Sequence, residues 1–229
     1  VVRDMSLLPK MPSIPLHQTL AEPEQVSIVS KPGIQVVWPK GSFYEKTPLN
    51  IEVIPSDGLG CFSPHFAITP TDAPVHYYYE INIEGLAVPA ALRDKAFIAR
   101  CEASGNIANC GATWIGNNLS TGVRVISTYT IMVDTIAPKI SILHFGPKMT
   151  DWKRMAFKIS DNFSAKDRGR DLIYDAWVDG QWILMSLDGK SSTLTHEFDG
   201  QLLPGEHQLV IKVTDDRGNE AVLEKSFTL

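Results

Sequence analysis

The sequence predicts an all-β chain arranged as two β-sandwich domains in tandem. Short runs alternate apolar and polar residues with period two, as half-buried strands do; Leu49-Asn50-Ile51-Glu52-Val53-Ile54 is one. Turn chemistry separates the runs, and Asp179-Gly180 is a strong two-residue hairpin signal. No segment carries an apolar stripe at helical spacing. The stretch Asp134-Thr135-Ile136-Ala137-Pro138-Lys139-Ile140 divides the chain. Pro138 has no N–H to donate and biases Ala137 toward extended geometry, so a short, stiff hinge is expected there. An ordinary turn inside one larger domain is the alternative. The boundaries that follow are an extended arm or linker over 1–25, a first β-sandwich over 26–134 and a second over 138–229.

In the arm, Pro9, Pro12, Pro15 and Pro23 favour extension, and Leu7, Leu8, Ile14 and Leu16 could pin it to a neighbouring surface or leave a disordered end. The first domain then reads as strands over 34–38, 49–54 and 75–83. A hairpin follows over 96–101 and 111–115, and 123–133 closes the domain. In the 75–83 run Tyr77, Tyr79, Ile81 and Ile83 share one face, and His76, Tyr78, Glu80 and Asn82 the other. The second domain alternates over 154–159, 172–178, 181–187, 193–198 and 208–213, and ends over 221–229. Counting the run that opens near Lys139, seven short strands fall within about 90 residues, as an immunoglobulin-like or fibronectin-III-like sandwich requires. The paired core cysteines and tryptophan spacing of antibody domains are missing, so the likeness is one of architecture.

At 229 residues the chain has room for one large domain or two of about 100. Lys plus Arg number 21 against 26 Asp plus Glu, a net charge of −5, which argues against a nucleic-acid partner. No apolar run approaches the roughly 18 residues that span a bilayer, so no transmembrane segment is expected. The chain begins at Val1 and not Met, which suggests processing or a fragment whose missing part carries the address.

The six histidines form neither His-x-His nor His-x-x-x-Asp. His76 and Glu80 share a strand face but lie about 13 Å apart by strand rise, too far for one metal. No Gly-x-Ser-x-Gly elbow or glycine-rich phosphate loop appears. No catalytic residue and no resident cofactor are therefore expected, and the chain reads as a non-enzyme. Cys101 and Cys110 flank a turn-rich loop; a hairpin there would bring them together as a disulfide candidate in an oxidising compartment, leaving Cys61 as a buried thiol.

Two constellations are candidates for binding. Asp161, Asp215 and Asp216 stand at strand ends that a sandwich can gather at one pole, where clustered carboxylates hold calcium. Ordinary turn chemistry at Asp161-Asn162 and Asp216-Arg217-Gly218-Asn219 is the competing reading. Tyr78 and Trp114 are candidates for stacking on a sugar ring, whereas Trp177 and Trp182 flank a hairpin at positions expected to pack inward.

The second domain carries a set of motifs: Asp134-Thr135-Ile136-Ala137-Pro138-Lys139-Ile140, Ile159-Ser160-Asp161-Asn162-x-Ser164, Val178-Asp179-Gly180-Gln181-Trp182-Ile183-Leu184, Gly205-x-His207-x-Leu209 and Val213-Thr214-Asp215-x-x-Gly218-Asn219. Together these resemble the tail of lysostaphin-like (LytM-type) zinc metallopeptidases of Bacteroidetes and related bacteria. Trp38-Pro39-Lys40-Gly41-Ser42-Phe43-Tyr44, Ser63-x-x-Phe66-x-Ile68 and Ser127-Thr128-Tyr129 are similar to the β-domain that precedes that tail. That family holds zinc with the two histidine motifs absent here, so no catalytic residue carries over. The loop Ala165 to Asp171 is longer and more charged than the short turn expected at that place. The resemblance implies a periplasmic, cell-envelope or extracellular accessory region that positions or regulates its own or a partner's peptidase domain near peptidoglycan. A carbohydrate-binding or adhesin-like module is the alternative.

Overall fold

A computed structural model describes residues 19–56, 58, 60–198, 200 and 202–229. The arm residues 1–18, with Leu7, Leu8, Ile14 and Leu16, lie outside the described residues. The protein is almost entirely β, and among the described residues the helical piece is the 3-10 turn Ala90–Lys95. No helix of the described residues is long and apolar enough to cross a membrane.

The described residues form four sheets. A seven-stranded sheet runs, in spatial order, Thr19–Ala21, Thr47–Ile54, His65–Thr69, Thr128–Val133, Ala96–Cys101, Ile107–Asn109 and Ser164–Ala165. Facing it is a five-stranded sheet of Ser27–Lys31, Ile34–Trp38, Tyr79–Glu84, Asn118–Val123 and Thr113–Ile115. The two share one core, in which Ile34, Val36, Trp38, Tyr79, Ile81 and Ile83 meet Leu49, Ile51, Phe66, Ile68, Ile98 and Ile131. Trp38 stacks on Tyr79 with ring centroids 5.2 Å apart. The alternation read in the sequence is what produces this layer, because every second residue of each strand turns inward.

Two four-stranded sheets make the second unit: Lys139–His144, Arg154–Ser160, Thr193–Glu197 and Ser186–Asp188 on one side, and Gln181–Trp182, Ile173–Val178, Glu206–Thr214 and Glu220–Thr228 on the other. Met155, Phe157, Ile159 and Leu194 pack against Ala176, Val178, Leu209, Ile211, Val213 and Phe227 between them.

Several expectations are corrected. Thr19–Ala21, assigned to the arm, is an edge strand paired with Thr47–Leu49, and Ala21 is fully buried. The run expected from Val75 becomes a strand only at Tyr79. The run 181–187 does not stay in one sheet: Gln181–Trp182 pairs with Trp177–Val178, and Ser186–Asp188 pairs with Thr193–Thr195. Buried Met185 marks the crossing between sheets. The cysteine hairpin pairs Ala99–Cys101 with Ile107–Asn109, not with a strand from Gly111.

That register excludes the Cys101–Cys110 disulfide. Cys101 stands opposite Ile107, whereas the Cys110 N–H donates to the Ile98 carbonyl at 3.0 Å. Three residues of strand separate the two positions by about 10 Å, beyond disulfide reach. Cys101 Sγ instead lies 3.7 Å from His65 Nδ1, and Cys61 Sγ lies 3.7 Å from Nε2 of the same ring. Cys110, and not Cys61, is the buried sulfur. Burial pushes the Cys110 thiol well up, and the Asp167 carboxylate beside it adds to the shift.

Candidate functional site at the seam between the two sheet pairs

The seam is built by the loop that the sequence marked as long and charged. Ser164–Ala165 leaves the second unit and pairs in parallel with Ala108–Asn109, becoming the seventh strand of the first unit's sheet. The Lys166 N–H then donates to Asn109 O at 2.8 Å. Two glycines permit this approach. A Cβ on Gly169 would lie 2.2 Å from Asn109 O, and one on Gly111 would lie 2.6 Å from Arg168 O.

Past that contact, Asp167 adopts φ 51° and drives its carboxylate into the first unit. Asp167 Oδ2 pairs with Arg100 Nη1 at 2.8 Å, and both side chains are close to fully buried, with 7% and 10% exposure. Asp167 Oδ1 accepts the Arg124 N–H at 3.1 Å. Arg168 lies over the Tyr78 ring, 4.5 Å from its centroid, and Arg124 approaches the same ring at 5.7 Å. Tyr78 is thereby engaged by one guanidinium from across the seam and one from its own unit, and it remains 40% exposed. Trp114 is likewise engaged: its Nε1–H donates to Arg93 O at 2.8 Å, and the Arg93 guanidinium stacks 3.7 Å from the ring centroid.

The turn Asp215–Asn219 makes the other half of the seam. Lys95 Nζ donates to Arg217 O at 2.8 Å, and Arg217 Nη1 donates to Ala96 O at 2.8 Å. Asp216, buried, accepts from Arg217 Nη2 at 2.8 Å, from Arg170 Nε at 3.2 Å and from Asn109 Nδ2 at 3.3 Å. Asn219 Nδ2 reaches Asp134 O at 3.1 Å. Hydrogen bonds from both units pin Asp134, the first residue of the Asp134–Pro138 stretch, whereas Thr135, Ile136 and Ala137 beyond it are exposed.

Three carboxylates converge beside this turn. Asp134 follows the strand Thr128–Val133, Asp161 follows Arg154–Ser160 and Asp215 follows Glu206–Thr214. Each offers an oxygen within 4.8 Å of the other two. Of the sequence candidates, Asp161 and Asp215 meet as expected, Asp216 turns away to the arginines, and Asp134 takes the third place. Asp134 Oδ1 accepts Ile136 N–H at 3.0 Å and Asn162 Nδ2 at 3.2 Å. Asp215 accepts the N–H groups of Arg217 and Asn219 and the Asn219 amide. Burial pushes the Asp161 carboxyl up to about 6; the Asp134 and Asp215 charges add to this, against the Asn162 N–H, which lowers it.

Trp177 and Trp182 do not fill the core. They stand directly opposite each other on the outer face, where Trp182 is 58% exposed and its Nε1–H donates to Asp175 Oδ1 at 3.1 Å. The inward row is Ala176 and Val178.

The Zu5-like domain family matches residues 18–134. An uncharacterized protein of Bacillus subtilis (strain 168), YvnB, is 43% identical over 56 residues, which are 24% of this chain and 4% of YvnB. The extracellular domain of a hybrid two-component system of B. thetaiotaomicron, BT3049, superposes with a TM-score of 0.29 at 8% identity, over 92% of this chain and 32% of that one. A β-1,2-glucanase from Parabacteroides distasonis gives a TM-score of 0.22 at 9% identity, over 93% and 37% respectively. Scores this low carry no inference about fold or function, and the chain spans a minor part of each of these proteins.

Proposed function

This chain belongs to the Zu5-like domain family, and on that premise we propose that it is a non-catalytic accessory module of a longer protein outside the cytoplasm, which holds neighbouring parts at a fixed spacing. In this reading both sheet pairs are sandwiches of immunoglobulin-like type. The observation that carries the proposal is the seam: the second unit adds a strand to the first, buries Asp167 against Arg100, and meets Asn109, Lys95 and Ala96 through Asp216 and Arg217. Charged side chains are spent on fixing two units against each other, which suits a rigid spacer or docking body. The motifs resembling the tail of LytM-type metallopeptidases make a peptidoglycan-directed peptidase domain elsewhere in the protein the partner we propose.

Spin labels on exposed Ile136-distal surfaces such as Leu203 in the second unit and Val26 in the first test the rigidity. A single narrow distance distribution is expected, and a broad one overturns the spacer reading. A zymogram of the full-length protein tests the peptidase partner, with a cleared band expected at its mass and no clearing counting against it.

One observation favours a second reading, carbohydrate binding. The exposed Trp182 beside Trp177, with Asp175 at its edge, is an aromatic surface with a polar neighbour. Quenching of tryptophan fluorescence by a glycan panel, lost in Trp182→Ala, would support it; an unchanged spectrum with every glycan would end it.

A further inference from the structure

We propose that Asp134, Asp161 and Asp215 bind one calcium ion, which ties the first unit to the second. The geometry fits a single ion. Calcium holds oxygens at 2.3–2.6 Å, so two oxygens on one ion can stand no more than about 5 Å apart. The three carboxylates meet that limit, with ligand oxygens within 4.8 Å of one another. Clustering alone would not make a site, since acidic groups at loop ends are common. What separates this cluster is unmet need in a buried place. Asp134 is 1% exposed, yet its Oδ2 is buried with no hydrogen-bond partner among the described residues, and Asp161 Oδ1 is in the same condition.

Such orphaned carboxylate oxygens are costly away from water unless a cation or proton meets them. The neighbouring carboxylates of the seam have arginines; this trio makes no salt bridge among the described residues and is held by amides and backbone N–H groups only. Those donors occupy Asp134 Oδ1 and both Asp215 oxygens, and leave Asp134 Oδ2 and Asp161 Oδ1 without a partner beside them. The donor set is all oxygen, which selects a hard cation and disfavours zinc or copper. Access exists, because Asp161 also lines a cleft with Ser160, Phe163, Lys166 and Arg170, through which solvent can complete the coordination of 6–8 that calcium takes.

The position gives the ion a consequence. Asp134 ends the first unit, while Asp161 and Asp215 stand on different sheets of the second. An ion shared among them cross-links the segment Thr135–Pro138 to both sheets of the second unit. Calcium would stiffen the same seam that the arginines hold, and would do so independently of what the module docks to.

The test uses the 229-residue chain stripped with chelator. Calcium alone is titrated by calorimetry and in thermal melts, with magnesium in parallel. One site per chain is expected, with a melting temperature rise of about 5 °C or more at a hundredfold excess over the dissociation constant and a smaller response to magnesium. Limited proteolysis around exposed Ile136 should slow at least severalfold with calcium. Asp161→Asn should abolish the calcium response while melting no lower than wild type in chelator, because it removes a repelling charge. Asp216→Asn should melt lower yet keep the calcium response, since Asp216 belongs to the arginines. The proposal is overturned if wild type shows neither binding heat nor a melting shift up to millimolar calcium, or if Asp161→Asn responds like wild type. Should Asp161→Asn not fold, the wild-type calorimetry decides alone.

Discussion

Two groups of carboxylates at the seam are held in opposite ways. Asp167 and Asp216 enter with arginines against them: Arg100 for the first, Arg170 and Arg217 for the second. Asp134, Asp161 and Asp215 gather as closely, with side-chain amides and backbone N–H groups, and no cation, as partners among the described residues. The first arrangement is complete within the chain. The second leaves Asp134 Oδ2 and Asp161 Oδ1 without a partner among the described residues, which makes it the part of the seam on which a proton or a cation can act. A junction built this way has a permanent clamp and an adjustable one side by side.

The largest effect should come from breaking the permanent clamp. Arg100→Met leaves Asp167 buried without its cation and should cost about 3–5 kcal/mol in chemical denaturation. Pairing it with Asp167→Leu should recover much of the loss, because a buried ion pair replaced by apolar groups is often close to neutral. A double variant no more stable than Arg100→Met would show that the Asp167 contacts to the Arg124 N–H and to Cys110 matter more than its charge.

Next in size is the backbone approach. Gly169→Ala places a methyl 2.2 Å from Asn109 O, backbone against backbone, and neither can yield like a flexible side chain. A loss of about 1–3 kcal/mol is expected, together with faster amide exchange at Lys166, whose N–H bonds Asn109 O. Wild-type exchange in this variant would mean that the parallel strand pairing does not depend on Gly169. Smaller again is Arg170→Ala. Arg170 is 74% exposed on its side chain and shares Asp216 with Arg217, so the change should stay at or below about 1 kcal/mol and shrink further in high salt.

Much of this was legible in the sequence, and what was not has physical causes. The strands and their inward rows followed from period-two alternation, since Ile34, Val36 and Trp38 could face only one way together. Asp161 and Asp215 were legible as a pair because each ends a strand. Asp216 was misassigned because adjacent residues at a strand end point to opposite sides. Asp134 was overlooked because it sits in the stretch read as a hinge, where Pro138 is the louder signal. Trp177 was expected inward from its place beside the Asp179-Gly180 hairpin, although Ala176 and Val178 form the inward apolar row and Asp175 marks the other face as wet. The loop from Ala165 was marked as unusual, but its role depends on Asn109 and Gly111, more than 50 residues away, and no local pattern encodes that contact. Calcium affinity itself is not readable from spacing, because three carboxylates from three separate strands have no fixed sequence interval.

The smallest effect, and the outer limit of the comparison, lies away from the seam, where half-exposed Asp179 pairs with buried His207. His207 Nδ1 donates to Asp179 Oδ2 at 2.7 Å, and Nε2 donates to Leu203 O at 2.7 Å when the ring is protonated. The Asp179 hydrogen bond holds the His207 pKa above its ordinary 6.5, while the Gln208 N–H and then His207 hold Asp179 below 3.8. The histidine's contribution is full below about pH 6.5 and lost as pH rises through its raised value. The aspartate's contribution is present above about pH 4 and lost as pH falls through its lowered value. The pair should therefore stabilise most between about pH 4 and 6.5. Asp179 is half exposed, so the effect should stay under about 1 kcal/mol. Melts of wild type and His207→Gln across pH 4–9 should differ most near pH 5 and converge above the raised histidine pKa. A difference that instead grows with pH would place the stabilisation in the neutral ring and its packing on Phe227, and would remove the charge from the account.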